Sequence, residues 1–96
     1  MTIGLFVTMK IKPGTEEAFE SAFRELQANV KKNEPGAILY EFFKSREEPE
    51  TYHVMEIYKD QAALDAHGKT AHFAAGGPKL GASMAGRPTI KIFDGK

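Results

Sequence analysis

Residues 37–44, AILYEFFK, and residues 51–59, TYHVMEIYK, read as two β-strands that are apolar on both faces. Side chains alternate across a strand, so Ile38, Tyr40 and Phe42 fall on one side, with Leu39 and Phe43 on the other. The polar stretch Ser45-Arg46-Glu47-Glu48-Pro49-Glu50 between them makes this pair a hairpin. A sheet built on such strands needs a cover on each face. A chain of 96 residues carries enough helix for one. The second cover then has to come from a partner subunit, and the covered side offers room for a small-molecule pocket.

The remainder of the chain fits that layout. Odd positions Ile3, Leu5, Val7, Met9 and Ile11 alternate as in a strand, with Phe6 on the opposite face. Lys12-Pro13-Gly14 stops it, because proline cannot donate to the ladder and glycine permits the turn. Thr15 reads as an N-cap, with Glu16 and Glu17 suited to the positive end of a helix. Phe19, Ala22, Phe23, Leu26 and Val30 form one helical stripe that Pro35-Gly36 ends. After the hairpin, Asp60 caps a short helix over Gln61–His67, and Gly68 breaks it. Residues 70–80 read as further helix, weakened by Gly76-Gly77-Pro78. A last strand covers residues 89–93, with Ile90 and Ile92 on one side. The order β-α-β-β-α-β predicts an α+β, ferredoxin-like antiparallel sheet with its helices on one face. We read residues 1–96 as a single domain. Two such sheets packed face to face predict a homodimer.

Composition narrows the function. Lysine plus arginine number 13 and aspartate plus glutamate 13, so no basic field for nucleic acid and no polybasic membrane anchor is expected. The chain has no cysteine, which excludes disulfides, thiolate catalysis and cysteine-based metal centres. No apolar run approaches the roughly 20 residues of a membrane span, and the first residues lack a signal-peptide pattern. A cytoplasmic protein is the expectation.

The segments KIKPGTEEAF, PGAILYEFFKSREEPETYHVMEIYKDQAALDAH and TAHF, in this order and spacing, resemble the antibiotic biosynthesis monooxygenase domain family. The resemblance runs from Ile3 to about Phe93. It implies a dimeric α+β barrel. It also implies oxidation of a quinol-like or polycyclic phenolic small molecule by O2 without metal or flavin, the substrate supplying the electrons. The same family holds haem-degrading enzymes, an isomerase and members of unknown role. Haem degradation there relies on an asparagine, a tryptophan and an iron-ligating histidine. Here Val7 stands at the asparagine position, tryptophan is absent, and Gly76-Gly77 fall near the ligand position. A non-catalytic, dimeric ligand-binding or stress-response module is the alternative from a different class.

Within this frame His67 and His72 are the candidate catalytic bases. A histidine with an ordinary pKa of about 6.5 suits removal of a phenolic proton near neutral pH. His67 also reads simply as a helix C-terminal cap interacting with the dipole. Tyr40, Phe42, Tyr58 and Phe73 offer aromatic surface for a planar ligand, or ordinary core packing. His53 points into a pocket or into the dimer interface. Glu41 and Glu56 come opposite each other if the hairpin turns symmetrically near Glu48-Pro49. As neighbours they would share a proton and act as an acid/base pair; the alternative is that each pairs with a lysine or arginine. Histidines five residues apart across a glycine are not a helical metal motif, so no metal site is expected.

Overall fold

A computed structural model describes residues 1–96. Its elements are β1 (Ile3–Lys10), α1 (Glu16–Asn33), β2 (Ala37–Lys44), β3 (Thr51–Tyr58), α2 (Gln61–His67), α3 (Ala71–Gly81) and β4 (Thr89–Asp94). The four strands form one antiparallel sheet in the order β2-β3-β1-β4, the ferredoxin-like arrangement. No helix is long and apolar enough to cross a membrane.

The stripe on α1 does what its spacing predicts. Phe19, Phe23, Leu26 and Val30 are buried, and they meet Val7, Tyr40, Tyr52 and Val54 of the sheet and Leu80 of α3. Ring pairs knit the centre, with Phe23 4.5 Å from Phe42 and Phe19 4.7 Å from Tyr52. Each such buried side chain is worth about 1.5–3 kcal/mol of transfer free energy, so this stripe is the main force holding α1 to the sheet. Thr15 sits at the N-cap position, but its hydroxyl donates to the Lys12 carbonyl at 2.6 Å and caps nothing. It ties the turn in which Gly14 adopts φ 84° instead. Asp60 does cap α2, accepting from the Ala63 N–H at 2.8 Å. Thr70 opens α3 in the same way, accepting from the Phe73 N–H at 3.2 Å. α3 runs unbroken through Gly76-Gly77-Pro78. Gly76 is buried there because α3 lies close on α1: a Cβ at this position would stand 3.4 Å from Leu26.

Two features of the hairpin depart from simple alternation. Between Ala37 and Leu39 the register shifts by one residue, and Ile38 is the extra residue of a β-bulge. It therefore leaves the face of Tyr40 and Phe42 and is 60% exposed. At the other end Lys44 pairs with Tyr52, which moves the centre of the turn by half a residue from the symmetric expectation. Glu41 consequently stands opposite Met55, and Glu56 opposite Tyr40. The Glu41–Glu56 pair does not exist, because a slip of one residue sends the two side chains to opposite faces of the sheet.

The helices cover the face that carries Val7, Tyr40, Val54 and Glu56. The opposite face presents Phe6, Leu39, Phe43, Met55, Ile57 and Phe93, of which Phe43, Met55 and Phe93 are exposed. His53 belongs to this outer face. Its ring stacks on Phe6 at 5.1 Å, and its Nδ1 lies 3.2 Å from the Thr8 hydroxyl.

Candidate functional site

The end of α1 carries an acid where helix electrostatics disfavours one. Lys31 and Lys32 suit the negative C-terminus, but the next charged residue, Glu34, is the C-cap itself. Its carboxylate is held by two imidazoles. His67 Nδ1 lies 2.9 and 3.0 Å from the two oxygens, and His72 Nε2 lies 2.5 Å from Oε2. A carboxylate only accepts, so both rings donate: His67 through Nδ1–H and His72 through Nε2–H. The local fold makes the convergence. His67 is the last residue of α2, and the Thr70 cap restarts the chain so that His72 falls in the first turn of α3.

His67 is 5% exposed and packed among rings, with Tyr40 at 5.3 Å, Tyr58 at 5.4 Å and Phe73 at 4.9 Å. It borders a cavity of about 280 Å³ between the sheet and the helices, whose walls are mainly apolar. Leu5, Val7 and Met9 form its floor, with Leu26, Leu80 and Phe73 above and Pro88 and Ile90 at one end. Three polar side chains interrupt the apolar wall: Tyr40, Glu56 and His67. Each keeps one polar atom without a partner in the chain: the Tyr40 hydroxyl, Glu56 Oε2 and His67 Nε2. No buried polar side-chain atom of the protein is sealed without a partner. These three atoms are therefore accessible, and the space that their residues border is the cavity. An apolar chamber with a few convergent polar groups is the usual form of a small-molecule site.

The electrostatics separates the roles of the three. Burial pushes the Glu56 carboxyl above its ordinary value, while the Tyr58 hydroxyl, donating to Oε1 at 2.6 Å, acts the other way. Burial favours the neutral form of Glu56, which can donate a hydrogen bond. The Tyr40 phenol is also held well above its usual range, by burial first and then by Glu56 and Glu34. It is a neutral donor and no base. His67 Nε2 is the one group on the cavity wall that offers a basic lone pair, and Glu34 fixes the tautomer that exposes it.

The residues singled out from the sequence separate accordingly. Tyr40, Glu56, His67 and Phe73 meet at the cavity. His72 stands behind His67 on Glu34, and Tyr58 stands behind Glu56. Phe42 does not line the cavity, since it is spent on Phe23 and Tyr52 in the core. His53 is on the other face of the sheet, as its odd position on β3 requires. Glu41 lies at the sheet edge, 3.1 Å from the Lys31 ammonium and bonded to Gln27. Glu34 was missed. Its signal was available, as an acid set at a helix C-terminus directly before Pro35-Gly36. A larger cleft of about 380 Å³, lined by Asn33, Glu34, Lys59, Asp60 and Thr70 among others, opens on the far side of Glu34. Its lining has acids and a lysine but no histidine and no aromatic ring, so the smaller, mainly apolar cavity is the better site for a planar ligand. Glu34, His67 and His72 each present a ligand atom within 4.8 Å of the others, and they are the residues that could hold a metal ion.

Comparison with known proteins bears on the family and the fold. The family model described as antibiotic biosynthesis monooxygenase matches residues 2–78. A crystal structure from Caulobacter crescentus CB15, provisionally named an antibiotic biosynthesis monooxygenase, is 40% identical with a TM-score of 0.97, covering 99% of this chain and 90% of its own. An uncharacterized Synechocystis protein is 31% identical over 85 residues, which is 88% of this chain and 57% of that protein. The Bacillus subtilis protein YcnE, provisionally named a monooxygenase, is 35% identical over 65 residues, 68% of this chain and 67% of its own length. The chain thus spans little more than half of the Synechocystis relative.

Proposed function

The chain belongs to the antibiotic biosynthesis monooxygenase family, and from that premise we propose that it is a cofactor-independent monooxygenase of a quinol-like or polycyclic phenolic compound. The observation that carries this reading is His67, with Nδ1 fixed on Glu34 and Nε2 open to an apolar cavity. A planar phenol fits between Tyr40 and Phe73. Its hydroxyl proton passes to His67 Nε2, and Glu34 stabilises the imidazolium through Nδ1–H. The apolar walls keep water from the resulting anion, whose electrons are then available to O2. For a quinol the reaction balances without another reductant: quinol and O2 give hydroxyquinone and water, one oxygen atom entering the ring. Glu56 in its neutral form donates to the oxygen that leaves as water.

In this proposal two copies pair through the apolar outer face, which gives Phe43, Met55 and Phe93 the cover that the chain itself does not provide. His53 then lies at the interface, not in the site.

Oxygen uptake by the metal-free protein with a panel of benzo-, naphtho- and anthraquinols tests the reading. Incorporation of one atom from ¹⁸O₂ is expected. His67→Gln should lower kcat by about 100-fold or more. Ligand binding without oxygen uptake would favour the non-catalytic binding module, and an unchanged rate in His67→Gln would remove the base from the mechanism.

A further inference from the structure

We propose that Glu34, His67 and His72 form a binding site for a divalent transition-metal ion of the zinc class, and that occupancy turns His67 Nε2 from an acceptor into a donor. Three separate elements deliver the ligands: the C-cap of α1, the last residue of α2 and the first turn of α3. Two histidines and one carboxylate are a recurrent donor set for zinc and for iron(II), and they leave further positions open.

The distances suit the ion. A tetrahedral centre with bonds of about 2.0–2.2 Å holds its ligand atoms about 3.3 Å apart. His67 Nδ1 already lies 2.9 and 3.0 Å from the Glu34 oxygens, while His72 Nε2, at 2.5 Å from Oε2, has to withdraw by less than an ångström. His72 can do so, because its side chain is the most exposed of the three, at 12%. Both nitrogens approach the same oxygen, Oε2, so the two rings crowd one acceptor that a central cation would relieve. An entry path exists as well: Glu34 lines the cleft of about 380 Å³, with Asn33, Asp60 and Thr70 beside it.

Occupancy has a consequence for the ring. A metal on Nδ1 takes the lone pair there, and the single proton of neutral imidazole must sit on Nε2. The cavity then faces an N–H donor where it had faced a base. If His67 acts as proposed above, metal binding and proton abstraction exclude each other. That last clause rests on the oxygenase reading; the metal site itself does not.

Zinc chloride titrated into the chelator-treated protein in a calorimeter provides the test. One ion per chain is expected, with Kd of about 1 µM or tighter. His72→Ala should weaken binding by about 100-fold, and so should Glu34→Gln. Histidine ring ¹⁵N spectra of the unmodified protein supply a readout that needs no variant. Zinc should move His67 Nδ1 and His72 Nε2 to metal-bound positions and leave a protonated Nε2 on His67. Failure to saturate at one ion per chain, or saturation that leaves both rings unmoved, would overturn the proposal. An affinity that His72→Ala changes by less than threefold would do the same. Neither measurement depends on turnover, so loss of the oxygenase reading and loss of the metal site are seen separately.

Discussion

Replacing Gly36 with alanine should strain the junction between the hairpin and α2, and the size of the effect follows from the contact. Gly36 does not have a positive φ, so alanine suits its backbone. A Cβ built there would stand 2.7 Å from the Ala63 Cβ, whereas carbon atoms rest at about 3.5–4.0 Å. Lys59 Cε, at 3.3 Å, is the end of a flexible chain and moves aside, but Ala63 is fixed in α2. α2 must retreat by roughly 1 Å or the core must absorb the clash, and overpacking of this kind costs about 1–3 kcal/mol. The lost freedom of the unfolded glycine returns about 0.4–1 kcal/mol. A net loss of roughly 1–2 kcal/mol remains, a fall in Tm of about 5–15 °C for a domain of this size. Urea unfolding followed by far-UV circular dichroism at 25 °C measures it as a lower midpoint at constant m. The decisive experiment is the double-mutant cycle with Ala63→Gly. That change alone costs about 1 kcal/mol in helix propensity, yet it removes the clashing atom, so the pair should couple by about 1–3 kcal/mol. Additive effects within about 0.5 kcal/mol, or a Gly36→Ala protein more stable than its parent, would refute the reasoning. Because α2 ends in His67, the single variant should also disturb the contact between His67 and Glu34, and Ala63→Gly should restore it.

Three further outcomes are expected. Gly76→Ala should gain about 1 kcal/mol in a thermal melt, since it adds helix propensity and its Cβ meets Leu26 at an ordinary 3.4 Å, whereas Gly76→Leu should destabilise by forcing α3 off α1. Glu56→Gln should change the pH dependence of stability. Burial raises the folded-state pKa of Glu56 above the ordinary 4.5, so its favourable contribution is complete below that value and is lost as pH rises through the folded pKa. The urea midpoint of the glutamine variant should therefore improve relative to the parent as pH is raised from 4.5 toward neutrality, and a constant difference would contradict the shift. Met55→Asp, on the exposed apolar face, should convert the proposed dimer to monomer in sedimentation at micromolar concentration, with the far-UV spectrum retained.

The fold was legible because its main signals are periodic. The α1 stripe, the alternation of β1 and the Asp60 cap act over one or two turns, where sequence spacing alone sets the geometry. What escaped depended on single residues. The bulge at Ile38 and the half-residue displacement of the hairpin turn leave no periodic trace, yet together they fixed which side chains face the helices. Thus Glu41 and Glu56 parted, while Glu56 alone reached the cavity. His67 and His72 could be named as candidates, but their meeting point is more than thirty residues earlier in the chain. Only tertiary packing brings Glu34 between them, although an acid at the wrong end of a helix was a clue. The role expected of Phe42 failed for a related reason: aromatic content does not say whether a ring lines a cavity or fills the core.

The strand order has a consequence for how the protein is made. β1 lies inside the sheet between β3 and β4, so the earliest made of these four strands has both of its neighbours far along the chain. Ile3 pairs with Tyr58 on one side and with Asp94 on the other. At about 5–20 residues per second, roughly 5–20 s pass between synthesis of β1 and that of β4. Throughout that interval an apolar strand has at least one unpaired edge. Refolding of the intact chain carries the same burden as loop closure, and a sheet closed by such distant pairings should fold in milliseconds to seconds. Conditions that slow the last step leave β1 open to pairing with a second nascent chain, which makes β4 the element that guards against aggregation.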